Sequence, residues 1–258
     1  MESTEFIFDG RNSDEFGLKI VKIQSGFYPS PFIGGQEIRE EVAPMRRQPH
    51  FHGTQKQVLE FEVTFSLGDE KFTPQKNAEL ARWLCKNEYK PFQTTDFVGK
   101  VFYVILVNQA DLQTVGLQQG YFTARFRCNA GYAFTLPRMD IFELEDNSNY
   151  ENPERITITN ESNVYDYHYP ITEIQKIGLG DIKLVNRSDG GRESVLENLE
   201  DEEVVYIDHY NKTIISDKGN YRLNNFNKKW MRLTYGVNQV DVHGACLLKV
   251  KNQFPVYL

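Results

Sequence analysis

The densest candidate for chemistry in this 258-residue chain is the acidic run Glu200-Asp201-Glu202-Glu203. Adjacent carboxylates could hold a cation or share a proton. Glycosidase carboxylates, however, face each other across a cleft from separate elements. In an extended run neighbours alternate faces and repel, so the run predicts an exposed acidic turn ahead of a strand. The nearest stretch to a calcium loop, 143–151, lacks the Gly and the terminal bidentate Glu where they are required. His50 and His52 fall on one side of an extended chain, a spacing that could suit a metal, but no third ligand follows nearby. They are expected as loop or interface residues beside Pro49. Tyr165-Asp166-Tyr167-His168-Tyr169 could stack on a sugar face; the plainer reading is an edge strand or loop packing on its own domain. His209 and His243 stand alone. Cys85 is expected as a buried thiol on the apolar face of a helix. No Gly-x-Ser-x-Gly elbow and no GxxxxGK[ST] loop occurs, and Gly178-Leu179-Gly180 lacks the following helix that phosphate binding needs. These readings predict no enzyme, no cofactor and no metal.

Bulk properties narrow the class further. The net charge is −7, the aromatic share is 13%, and charged residues make up 25%. Such a chain can build a core without staples, and its aromatics suit half-buried β surfaces. No apolar run approaches the roughly 20 residues that cross a bilayer, so no membrane partner is expected. The acidic start, Met1 to Glu5, is not expected to act as a signal peptide. Three scattered cysteines, at 85, 128 and 246, predict reduced thiols rather than a disulfide framework or a CxxC zinc site. Three Asn-x-Ser/Thr sequons, beginning at Asn160, Asn186 and Asn211, are expected to be chance. Through Arg138 the chain carries 16 basic and 16 acidic residues, so the whole deficit lies beyond it. Neither half offers the positive field that gathers phosphates.

The elements that must position these residues are mostly strands. Glu5–Phe8, Phe16–Ile23, Gln57–Leu67, Lys100–Val107 and Gly120–Cys128 read as strands, with Phe61, Val63 and Phe65 on one face. Thr73 as N-cap and Pro74 at the first helical position predict a helix over 74–88. Between Gln24 and Lys56 lie four prolines and four glycines without sustained periodicity. A loop that long is uncommon inside a compact fold. Its aromatic and apolar residues either fold against a neighbouring subunit or pack within the chain. Phe27, Tyr28, Phe32, Ile33 and Phe51 are the candidate subunit-interface residues. The strand pattern breaks near 129–138, giving domains at 1–138 and 139–258. From Met139 onward, short strands alternate with turn chemistry at Ser188-Asp189-Gly190-Gly191, Asp208-His209-Tyr210-Asn211 and Gly236-Val237-Asn238. They include Gly180–Asn186, Glu203–Asp208, Trp230–Tyr235, Gln239–His243 and Ala245–Lys251. That spacing predicts an antiparallel sandwich or jelly roll.

The opening Phe6-Ile7-Phe8-Asp9-Gly10, followed by Ser13, Phe16-Gly17-Leu18 and Ile20, resembles the start of distal tail proteins of long-tailed, non-contractile phages. The stretches Gly180-Asp181-Ile182-Lys183-Leu184-Val185-Asn186, Glu203–Asp208, Trp230-Met231-Arg232-Leu233 and 236–244 resemble that family's galectin-like C-terminal sandwich. Order and spacing cover nearly the whole chain.

The resemblance implies a mainly β protein: an N-terminal split β-barrel-like domain with one helix, then a galectin-like antiparallel β-sandwich. It implies a structural component of the virion tail tip, assembled in the host cytoplasm. There it would form a homohexameric ring that joins the tail-tube protein to the tail-tip protein and lets DNA pass without specific binding. Receptor-binding or adhesion proteins are further partners it implies, although the second half has no long insertion that could form an arm for them. Two other classes compete: a lectin-like carbohydrate-binding adhesion protein using the sandwich, and a glycoside hydrolase on a jelly roll.

Overall fold

The computed structural model describes residues 5–21, 34–42, 48–67, 73–107, 112–115, 119–144 and 152–258. The chain splits into two compact units, Met1–Thr135 with Tyr257–Leu258, and Leu136–Val256.

The first unit contains β1 (Phe6–Phe8), β2 (Arg11–Asn12), β3 (Lys19–Ile20), β4 (Gln36–Glu41), β5 (His50–Lys56), β6 (Glu60–Ser66), α1 (Pro74–Leu84), β7 (Lys90–Thr94), β8 (Lys100–Leu106), β9 (Leu112–Val115), β10 (Gln119–Cys128) and β11 (Ala133–Thr135). One sheet runs in the order β2-β1-β7-β8-β10-β6-β3, with β9 on β10 and β11 on β8. That path stays open among the described residues. Register explains the core. β6 and β10 are antiparallel with Phe61 opposite Phe126, Val63 opposite Ala124 and Phe65 opposite Phe122. Period-two alternation therefore places all six on one buried face while Glu60, Glu62, Arg125 and Arg127 face water.

Helix α1 joins this core through Trp83, which packs on Phe6, itself against Phe65. Thr73 Oγ accepts the Lys76 amide at 3.2 Å and Pro74 occupies the first turn, as expected. The helix ends at Leu84 rather than reaching 88. Cys85 becomes the C-cap in an extended conformation and is exposed, which corrects the expectation of a buried thiol. Trp83 stacks on Phe16 at 4.0 Å and donates its indole N–H to the Phe8 carbonyl at 3.1 Å, so the largest apolar side chain also satisfies its polar handle. The expected strand over Phe16–Ile23 is a 3-10 turn, Ser13–Phe16, leading into β3, with residues 22–23 outside the described residues. A capping box drives the turn: Asn12 accepts the Asp14 amide, and the Glu15 side chain accepts the Asn12 amide.

The second unit is an antiparallel sandwich. It contains β12 (Arg138–Leu144), β13 (Glu154–Asn160), β14 (Ile171–Lys176), β15 (Gly180–Asn186), β16 (Arg192–Leu199), β17 (Val204–Asp208), β18 (Thr213–Ser216), β19 (Gly236–His243) and β20 (Cys246–Asn252). One sheet runs β12-β20-β14-β17-β18 and the other β13-β19-β15-β16. Ile174, Val205, Leu248 and Val250 from the first meet Ile156, Leu184, Val240 and Val242 from the second in one core.

The segment expected as a strand at Trp230–Tyr235 is extended but pairs by only one bridge, Leu233 to His168. Side chains take the place of a ladder partner. Arg192 Nε donates to the Trp230 carbonyl at 2.8 Å, His209 Nδ1 accepts the Met231 amide at 3.0 Å, and Asn186 Nδ2 donates to the Arg232 carbonyl at 2.8 Å. Asn160 Nδ2 reaches the Leu233 and Thr234 carbonyls at 3.3 and 3.1 Å. The backbone accounting thus closes without a strand, and Trp230, Met231 and Leu233 are left to plug the core. Asn160 and Asn186 are themselves buried, so two of the three sequons hold the sandwich together and cannot accept a glycan in the fold.

Candidate functional site

The segment read as a loop over 24–56 contains an antiparallel ribbon in its described part. Gln36 to Glu41 on β4 pairs with Lys56 back to His50 on β5, with a register shift between Arg39 and Glu40. Backbone hydrogen bonds fasten its base to the first unit. Gly34 N–H donates to the Gly131 carbonyl at 2.9 Å, and Gln57 N–H to the Gly35 carbonyl at 2.7 Å. Leu59 then pairs with Ala130 and Cys128, at 3.0 and 2.8 Å. A Cβ on Gly34 would run into the Gln57 carbonyl and lie 2.6 Å from Gly131 Cα, so this crossing admits only glycine. Beyond it every ribbon residue but Gly53 is exposed. Ile38 is 60% and Phe51 61% accessible, with Val42 at the end of β4 at 73%. Among the described residues the ribbon stands alone as a two-stranded sheet, and such a ribbon is marginal in water without a surface to cover one face.

Of the candidate interface residues, Phe51 sits on this ribbon, while Phe27, Tyr28, Phe32 and Ile33 lie outside the described residues. His50 and His52 are exposed strand residues whose rings meet edge-to-face at 4.8 Å, with His52 Nε2 3.5 Å from Glu41. Among the described residues no three His, Cys, Asp or Glu side chains gather as a metal site.

The acidic run departs from expectation at its last member. Glu203 is 0% exposed and forms a buried pair with Arg222, at 6%. Ser216 Oγ donates to Glu203 at 2.6 Å and the Glu200 amide at 3.0 Å. Burial alone would raise this carboxyl; Arg222, Ser216 and the Glu200 amide outweigh it and hold the group down at about 2. The signal lay outside the run, in an arginine 19 residues downstream. Asp201 accepts the Gly178 amide at 2.6 Å, so only part of the run is solvated. A fully paired carboxylate held well below neutral is a structural strut, without the proton a general acid would need. Asp241 is similar: Arg155, 2.7 Å away, opposed by burial and aided by Arg187 at 2.7 Å, holds it at about 2.

His209 and His168 are also structural. His209 is buried; its Nδ1 accepts the Met231 amide, so its Nε2–H donates to Thr172 Oγ at 3.0 Å and the ring is neutral. His168 packs on Phe254 at 4.6 Å with Nε2 3.1 Å from Asn252 Oδ1. Buried Cys128 and Cys246 have thiols pushed up to about 12 by desolvation, so neither is a nucleophile near neutrality. No described helix is long and apolar enough to cross a membrane.

The described residues thus offer two β units, the second with buried polar pairs that hold its shape, and one exposed ribbon on a backbone-fastened base. Residues 1–130 match a family model described as a phage tail protein N-terminal domain, and residues 132–252 match one described as a phage tail C-terminal domain. The chain belongs to this phage tail protein family. It is 24% identical to YomH, an SPbeta prophage-derived uncharacterized protein of Bacillus subtilis (strain 168), over 98% of both chains. The fold is shared with the Dit protein (gp 19.1) of phage SPP1, described as a paradigm of the hub adsorption apparatus in phages infecting Gram-positive hosts. That match has a TM-score of 0.70 and 10% identity, over 97% of this chain and 98% of the other. A chain of the phage P2 baseplate overlaps at a TM-score of only 0.42, with 9% identity over 84% and 87% of the two chains. The protein is therefore a tail component with a distal-tail-protein fold.

Proposed function

We infer that six copies of this chain close into a ring at the distal end of a phage tail, with units 1–138 forming the ring and units 139–258 decorating it. The ring joins the tail tube to the tip proteins and lets the genome pass; adhesion proteins attach around it, and assembly takes place in the host cytoplasm before incorporation into the virion. The observation that carries this reading is the β4–β5 ribbon, which presents Ile38, Val42 and Phe51 to solvent on a base held by backbone hydrogen bonds at a glycine crossing. A neighbouring copy of the first unit supplies the missing face, and Phe27, Tyr28, Phe32 and Ile33 belong to the same clasp. Charge supports the conduit: the ring-forming half is balanced at 16 basic and 16 acidic residues. It has no excess of cations to hold passing phosphates by counterion release.

Native mass spectrometry and electron microscopy of the purified full chain test this reading. Rings of six are expected at micromolar concentration. The pair Ile38→Glu with Phe51→Glu, both at exposed positions, should release folded monomers. A parent protein that remains monomeric overturns the ring, and rings that survive the double substitution overturn the ribbon as the clasp.

A further inference from the structure

We propose that a groove on the sandwich, between loop 163–167 and Thr234–Tyr235, is a binding site for a neutral saccharide. The groove is open to solvent and has a volume of about 610 Å³, inside the roughly 300–1,000 Å³ typical of small-molecule sites. Three tyrosines open onto it, and two of them are almost wholly bare: Tyr165 is 98% and Tyr235 78% accessible. Asn163, Asp166 and Thr234 alternate with these rings. Flat apolar faces interleaved with amide, carboxylate and hydroxyl groups match a sugar, which has an apolar C–H face and a rim of hydroxyls.

The backbone of both walls is pre-organised, which lowers the ordering cost of binding. On one side Asn160 Oδ1 accepts the Ser162 amide at 3.0 Å, and Ser162 Oγ accepts the Val164 amide at 3.1 Å. His168 and Leu233 then exchange both backbone bonds, at 3.0 and 2.7 Å, closing the loop. On the other side Asn238 Oδ1 accepts both the amide and the hydroxyl of Thr234, at 2.9 and 3.0 Å. Tyr167 is held as a platform: the Arg232 guanidinium lies 3.8 Å over its ring, and Asp189 grips that guanidinium through two bonds of 2.7 and 3.1 Å.

Charge and size select the ligand. Asp166 contributes a carboxylate to the lining, and the adjacent guanidinium of Arg232 is already engaged by Asp189. Among the described residues the lining holds no lysine or arginine, so it lacks the cation that a phosphate-bearing polymer needs and a neutral sugar does not. A protein partner would need about 800 Å² on this side, well beyond two short loops.

The test titrates the full-length protein with chitotriose, maltotriose and cellotriose up to about 10 mM, well above the roughly 1 mM Kd of weak complexes. Saturation-transfer NMR and calorimetry provide the readout. At least one trisaccharide should bind, and the pair Tyr165→Ala with Tyr235→Ala should weaken it at least tenfold. Melting temperature and oligomeric state should not move, since both rings are exposed. The assignment is overturned if no trisaccharide binds, if the double variant binds as well as the parent, or if poly(glycerol phosphate) binds at this groove in preference to the sugars. It is equally overturned if the double variant loses only the binding of another tail protein. Oligomeric state, measured on the same samples, tests the ring separately.

Discussion

Trp83 and Trp230 are the chain's two tryptophans, one in each unit, and their surroundings differ in kind. Trp83 sits among rings: Phe16 at 4.0 Å, Phe6 at 5.6 Å and Phe8 at 5.9 Å, with Phe65, Phe92 and Phe126 continuing the cluster. Buried polar residues described there are only Ser13, Ser66 and Thr94. Trp230 packs on Phe226 at 4.8 Å and on the imidazole of His209 at 6.1 Å. Its unit also buries Asn160, Lys176, Asn186, Glu203, Arg222, Asn238 and Asp241. The first core is specified by shape, through rings that tolerate small adjustments. The second is specified by donors and acceptors, where a single lost partner strands another group in low dielectric. Each tryptophan reports on its own unit, so the contrast can be measured.

The largest expected effect is at Glu203. Glu203→Ala leaves the Arg222 guanidinium buried without its carboxylate, and breaking such a pair costs about 3–5 kcal/mol. Urea unfolding followed by Trp230 fluorescence should shift to a lower midpoint, while the Trp83 transition holds. Replacing both partners, Glu203→Leu with Arg222→Met, should recover most of the loss, because the penalty comes from the stranded charge. A double variant as unstable as the single one would show that the pair itself supplies the stability.

In the aromatic core, Phe16→Leu should cost less, about 1–2 kcal/mol. It removes the stack on Trp83 and the contact with the Arg11 guanidinium at 4.2 Å, but leaves no polar group unpaired. The Trp83 transition should move and the Trp230 transition hold. A loss matching that of Glu203→Ala would remove the distinction between the two cores.

The same contrast explains what could be read in the sequence. Alternation at Phe61, Val63 and Phe65 revealed β6, and Thr73-Pro74 revealed the start of α1, because both are local signals. The end of α1 carried no glycine cap, and the reading overran to 88. The β4–β5 ribbon was invisible because a strand exposed on both faces has no apolar periodicity. In the sandwich, Trp230–Tyr235 has the alternation of a strand, yet its partners are side chains from positions 160, 186, 192 and 209. Glu203 looked solvated because Arg222 is distant in sequence. Short motifs such as Gly180–Asn186 and 236–244 made the family resemblance legible, and several of their residues, Asn186, Asn238 and Asp241 among them, form this polar lattice. Of the proposed clasp, only Phe51 could be placed on an element.

Mild acid should separate the two cores by the smallest margin. Burial, partly offset by Asp208, holds His209 at about 3, and burial, partly offset by the Asn252 hydrogen bond, holds His168 at about 4. In the unfolded chain both titrate near about 6.5. Protons therefore bind the unfolded state preferentially, so this stability is complete above about pH 6.5 and is lost progressively as pH falls toward the folded values. From pH 7 to 6 each imidazole should contribute a loss below about 1 kcal/mol. Glu203 and Asp241, both held at about 2, add to the loss only once pH drops below about 4.5. The first unit buries no histidine among its described residues; His50 and His52 are exposed on the ribbon. The Trp230 midpoint should fall between pH 7 and 6 while the Trp83 midpoint stays level. Equal shifts in both would mean that the two cores unfold as one, and the difference in their chemistry would have no separate thermodynamic expression.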